Sequence, residues 1–129
     1  MNLIGYAPKN TKVDKSLEYS KVKTLDFKEY PWLELPSGLA NLTNLTSLDL
    51  SSCRSLQNID GLGNLAKLTS LDLSGCYFLK NIDGLANLPN LSSLNLEYSN
   101  EVQPKPSKEV MTTREEVAAY QEEIKKSMK

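Results

Sequence analysis

The chain contains no histidine. Histidine is the side chain that most often carries protons in catalysis and a frequent zinc ligand, so general-base hydrolysis and the common zinc sites lose their usual residue. Only two cysteines occur, at Cys53 and Cys76, too few for a disulfide framework. Aromatic residues make up 7% of the chain, with a single tryptophan, Trp32. Charge of neither sign dominates: the formal net charge is −1, which disfavours nucleic acid or an anionic membrane as the main partner. No apolar run approaches the roughly 18 residues of a membrane-spanning helix. The first residues, MNLIGYAPKNTK, lack the apolar stretch of a secretory signal. A cytoplasmic setting is the resulting expectation, with export by a route not visible in the sequence as the alternative. No cofactor or metal is expected, and binding is favoured over chemistry.

Leucine is abundant and unevenly spread. Of 22 leucines, 19 lie between Leu33 and Leu96, and none follows Leu96. Charge runs the other way: residues 35–96 carry seven charged side chains and residues 101–129 carry twelve. Three segments are expected: an N-terminal cap over 1–21, a repeat region over 22–103, and a proline spacer with an amphipathic helix over 104–129.

The middle segment repeats itself. Gly38–Ile59 and Gly61–Ile82 share 15 of 22 positions at an offset of 23, and a third copy starts at Gly84. The leucine columns are Leu45, Leu68, Leu91; Leu48, Leu71, Leu94; and Leu50, Leu73, Leu96. One step earlier, Val22, Leu25 and Phe27 form a degenerate copy, making about four units. Such regular self-similarity marks stacked repeats, in which each unit buries its apolar face on its neighbours. The stretch Leu48-Asp49-Leu50 alternates as a half-buried strand does, with leucines inward and Ser47, Asp49 and Ser51 outward. Asp60 and Asp83 suit the N-cap of a short helical turn on the outer arc.

Each unit reads LxxLxLSxCxxLxxIDGLxNLxx. This resembles the leucine-rich repeat family over about residues 22–102, and most closely its irregular plant-receptor-like and bacterial types. The resemblance implies an α/β fold: a right-handed solenoid with a short parallel sheet on its concave face. It also implies protein binding without enzymatic chemistry. Cys53 and Cys76 share one column, where such repeats carry a small buried residue facing backbone groups; a disulfide or metal pair is the competing reading.

The outward column Asp26, Asp49, Asp72 and Asn95 reads either as an acidic stripe for a basic partner or as solvated repeat template. The two best-matched units differ most at Arg54→Tyr77 and Ser55→Phe78 in the loop after the strand. Interface contacts favour aromatics and arginine. Tyr77, Phe78, Arg54, Trp32 and Tyr98 are therefore the candidate partner contacts, with Asp49, Asp72 and Asp26 beside them. For Tyr77 and Phe78, packing over the flank is an equal alternative, and for Trp32 packing is preferred.

Beyond Pro104 and Pro106, Thr113-Arg-Glu-Glu116 has the form of a capping box. A helix to about Met128 would align Val117, Tyr120, Ile124 and Met128 on one face. It caps the last repeat, offers itself to a partner or to a second copy of the chain, or is partly disordered. A protein partner is expected; the rival roles are self-assembly through repeat ends or this helix, and a bacterial effector or regulator acting by protein binding.

Overall fold

A computed structural model describes residues 22–30, 35 and 37–128. The expected N-terminal cap over 1–21 and the position of Trp32 lie outside the described residues.

Four three-residue strands recur at the 23-residue period: β1 (Thr24–Asp26), β2 (Ser47–Asp49), β3 (Ser70–Asp72) and β4 (Ser93–Asn95). They pair in parallel and in one register, with Leu25, Leu48, Leu71 and Leu94 side by side. Register is fixed because a one-residue slip would carry every leucine to the outward face. The strands begin one residue earlier than the alternation suggests: Leu50, Leu73 and Leu96 follow the strands, but they too are fully buried.

Each repeat then returns through a loop and a 3-10 turn. Three such turns are Ser37–Asn41, Asp60–Asn64 and Asp83–Leu85. Asp60 and Asp83 are not their N-caps, as the sequence suggested. They are the first residues of the turns, and the capping positions are Ile59 and Ile82, which provide no side-chain hydrogen bond. Asn58 and Asn81 do that work instead: their Oδ1 atoms accept the Asp60 and Asp83 N–H groups at 3.3 and 2.9 Å. An asparagine amide two residues upstream reaches a backbone N–H through a tight local turn. Gly84 is required by close approach, since a Cβ there would stand 2.4 Å from the Ile59 carbonyl oxygen; at Gly61 the nearest atoms would lie at 3.7 Å.

Leu56, Ile59, Leu62 and Leu65, with their counterparts in the next repeat, fill the interior with no exposed surface. Backbone bonds join the repeats beyond the strands. Phe27, Leu50 and Leu73 N–H groups donate to the Asp49, Asp72 and Asn95 carbonyls at 2.8 Å each.

After β4 the chain reverses. β5 (Val110–Met111) runs antiparallel against β4, pairing Met111 with Leu94, and the helix α1 (Arg114–Ser127) follows. Thr113 is its N-cap, accepting the Glu116 N–H at 3.1 Å as expected. The reciprocal bond of the box lands one residue upstream, from the Thr112 N–H to Glu116 at 2.9 Å. Val117, Tyr120 and Ile124 are buried in the common core, so the helix covers the last repeat. Met128 does not join them: it is 51% exposed, at the C-cap just beyond the helix. The apolar face proposed as a free docking or self-association element is thus occupied within the chain.

Candidate functional site

Two adjoining surfaces carry the candidate residues: the outward face of the sheet and the flank formed by the loops after the strands.

On the sheet face, each member of the aspartate column bends back to the chain leaving its strand. Asp49 and Asp72 accept the Ser51 and Ser74 N–H groups at 2.9 Å, and Asp26 accepts that of Lys28 at 3.1 Å. Asn95 accepts the Glu97 N–H in the same way at 2.9 Å. The column therefore selects a short side chain with an oxygen acceptor, and Asp or Asn serves equally. Asp49 and Asp72 nevertheless stand directly opposite one another on paired strands, a like-charged contact that this role does not require. Asp26 carries its own counter-ion, with Lys28 Nζ at 3.1 Å, and its carboxyl is lowered mainly by the Lys28 backbone N–H.

The loop after each strand turns through one left-handed residue, and these residues form a column: Glu29, Ser52, Gly75 and Tyr98, with φ of 68°, 59°, 69° and 64°. Only the third is glycine, the residue for which this conformation is free of Cβ strain. The Glu29, Ser52 and Gly75 N–H groups donate to the Ser51, Ser74 and Glu97 carbonyls of the next repeat at 2.9, 2.7 and 2.8 Å.

One residue further on comes the cysteine column. Cys53 and Cys76 are free and buried, and their thiols donate to the Phe27 and Leu50 carbonyls at 3.2 Å. The Ser99 hydroxyl makes the matching bond to the Leu73 carbonyl at 2.5 Å. Burial pushes the thiols up to about 11 and about 12, so neither is a reactive thiolate at neutral pH. The small buried residue facing backbone groups is the arrangement found, and both cysteines are free.

The next two columns turn outward. Arg54 is exposed, and its guanidinium carbon sits 5.5 Å from the Tyr77 ring centroid, within cation–π range. Tyr77 and Phe78 are 48% and 59% exposed, and Tyr98 is 66% exposed. Between them and the first repeat lies a hollow of about 370 Å³, lined by Glu29, Ser52, Arg54 and Ser55. Glu29, Ser52 and Ser55 were not singled out from sequence. Their signal was their small size or charge in columns where a later repeat carries a ring. A second hollow of about 230 Å³ lies beside α1, with Lys108, Met111, Glu116 and Tyr120 among its lining residues.

Among the described residues, no group of three histidine, cysteine, aspartate or glutamate side chains could hold a metal ion. No helix among them is long and apolar enough to cross a membrane.

No curated protein matches the chain. Residues 43–87 match the profile of the family described as Leucine Rich repeats (2 copies), a span that takes in most of the two most similar internal copies. Domains of this kind generally mediate protein–protein interaction. The matched period continues in register through β1 and β4 on either side, so the repeats of this kind extend beyond the matched residues.

Proposed function

We propose that the stacked repeats form a right-handed solenoid with the sheet as its concave face. Residues 22–103 are its body and 104–129 its terminal cap. The chain acts by non-covalent protein binding and performs no enzymatic chemistry. The partner lies along the sheet face, with its acidic column Asp26, Asp49 and Asp72, and against the rim of Arg54, Tyr77, Phe78 and Tyr98. One observation carries this reading. A chain that leaves its core leucines at most 8% exposed keeps Tyr77, Phe78 and Tyr98 about half exposed or more, all in the loops after the strands. Adjoining exposed rings beside a polar sheet fit the anatomy of an interface, where aromatics and arginine dominate the energy.

Affinity purification from the source organism, comparing wild type with Tyr77→Ala/Phe78→Ala, tests the reading. Loss of a specific co-purifying protein at unchanged melting temperature is expected. Retention of every partner by the double variant, or a large drop in melting temperature, would show the rings to be packing residues.

A further inference from the structure

We propose that Asp60, before Gly61, is a site of spontaneous covalent modification, where aspartate converts to isoaspartate through a cyclic imide, and that the fold protects the equivalent Asp83–Gly84 pair. The reaction involves none of the proposed partner contacts.

The chain carries its own comparison. Residues 58–62 and 81–85 both read Asn-Ile-Asp-Gly-Leu, so the intrinsic chemistry of the two sites is the same. In an Asp-Gly pair no side chain beside the glycine nitrogen obstructs its approach to the aspartate Cγ. Attack there forms an N–Cγ bond and breaks the Cγ–OH bond, and the hydroxyl leaves with the amide proton as water. Water then adds across one of the two imide C–N bonds. Opening on the Cγ side restores aspartate. Opening on the α-carbonyl side leaves the main chain running through Cβ and Cγ, with a free α-carboxylate. The sum is an isomerisation that consumes only the water it released and needs no oxidant, cofactor or enzyme.

Ring closure requires the aspartate ψ to leave its helical value, so the rate follows how readily each 3-10 turn opens. Both aspartates are exposed, each is the first residue of its turn, and neither carboxylate has a hydrogen-bond or ion-pair partner among the described residues. The turns differ in what holds them shut. Gly61 is exposed, and a Cβ there would meet nothing nearer than 3.7 Å, whereas a Cβ on Gly84 would stand 2.4 Å from the Ile59 carbonyl oxygen. Gly63 likewise has nothing within 4 Å of a Cβ, while its counterpart Ala86 is 3% exposed. Two glycines in one turn leave its backbone freer than one does. The Asp60 N–H is held by Asn58 at 3.3 Å, and the Asp83 N–H by Asn81 at 2.9 Å. Finally, α1 lies over the 83–85 turn, where the Gln121 amide holds the Leu85 and Leu88 carbonyls at 2.7 and 2.9 Å. Isoaspartate at 60 adds one carbon to the main chain between Ile59 and Leu62, both without exposed surface, so the lengthened return no longer fits the positions those side chains occupy.

Incubation of the folded chain in heavy-oxygen water near neutral pH tests the assignment. Each passage through the imide adds one heavy oxygen at the residue that reacted. Trypsin cuts after Arg54, Lys67 and Lys80, which puts the two sites in separate peptides, and electron-transfer fragmentation tells isoaspartate from aspartate. Label and isoaspartate should accumulate at residue 60 at least about fivefold faster than at residue 83. In guanidinium chloride the two sites should react at equal rates. Gly61→Ala should slow the reaction at 60 at least about tenfold, leaving the rate at 83 and the melting temperature unchanged. Equal rates at both sites of the folded chain, faster reaction at Asp83, or a preference for Asp60 that persists in guanidinium chloride would each overturn the assignment. So would a folded chain that does not react at Asp60 while the unfolded chain does.

Discussion

In the third repeat, the Leu73 N–H reaches the Asn95 carbonyl of the next strand; in the fourth, Leu96 has no further repeat and donates to the Glu109 carbonyl, also at 2.8 Å. The same need is met inside the array by a copy of the repeat and at its end by residues that occur once. Gln121 shows this most clearly. Its amide is buried and donates to the Leu85 and Leu88 carbonyls at 2.7 and 2.9 Å, while its oxygen accepts from Arg114 at 2.8 Å. Arg114 also donates to the Leu91 carbonyl. Tyr120 closes the far side by donating to the Pro104 carbonyl at 2.5 Å, and burial raises its hydroxyl pKa. An interior repeat is stable because it is like its neighbours. The terminal unit is stable because it is unlike them.

The difference can be broken in graded steps. Leu71→Ala empties a fully packed position between two like neighbours and should cost about 2–5 kcal/mol, read from chemical denaturation. Gly84→Ala should come next, at about 1–3 kcal/mol, because the new methyl meets the Ile59 carbonyl oxygen. Gly61→Ala in the same column should leave the midpoint nearly unchanged, and equal losses at both glycines would refute the close-approach argument. Gln121→Ala removes the side-chain donor to the Leu85 and Leu88 carbonyls, leaving Leu85 only the Leu88 N–H at 3.3 Å, and should cost about 1–3 kcal/mol. Amide exchange should then accelerate first around 85–91, whereas uniform acceleration would mean the cap and the interior open as one.

The smallest effect concerns pH. The Lys108 ammonium beside Glu116, helped by the Thr112 N–H, holds its carboxyl down to about 2, against an ordinary 4.5. A depressed folded value stabilises the chain above the unfolded pKa. That contribution disappears as pH falls from about 4.5 toward about 2. Glu116→Gln should flatten this part of the acid limb in a melting-temperature series; an unaltered limb would place the sensitive carboxylate elsewhere.

The same contrast explains what could be read from the residues alone. The strand register, the leucine interior, the cysteine column and the capping box were all legible, because period or local spacing determines them. The roles of Asn58 and Asn81 were hidden behind the more conspicuous Asp-Gly that opens each turn. Gln121 and Arg114 were illegible for a different reason. Their partners lie 23 to 36 residues away in the chain, and no pattern in the helix marks a polar side chain as buried. At the rim, the divergence between Arg54-Ser55 and Tyr77-Phe78 marks the proposed contacts, but the exposure of the rings is written in no pattern of the sequence. The hollow at Ser52 and Ser55 is a feature of what is missing from a column, which a search for conspicuous residues passes over.

The antiparallel turn of β5 has one more consequence. A parallel edge invites addition of another parallel strand, from the same chain or another. By running the opposite way, Val110–Met111 meets β4 without repeating it and leaves no copy of the β1–β4 edge behind. Residues 104–128 therefore close the array through contacts with its last repeat alone. A further 23-residue unit inserted between Ile82 and Asp83 would leave their contacts with the last repeat intact. The length of the array, and with it the area offered to a partner, can change without redesigning its end.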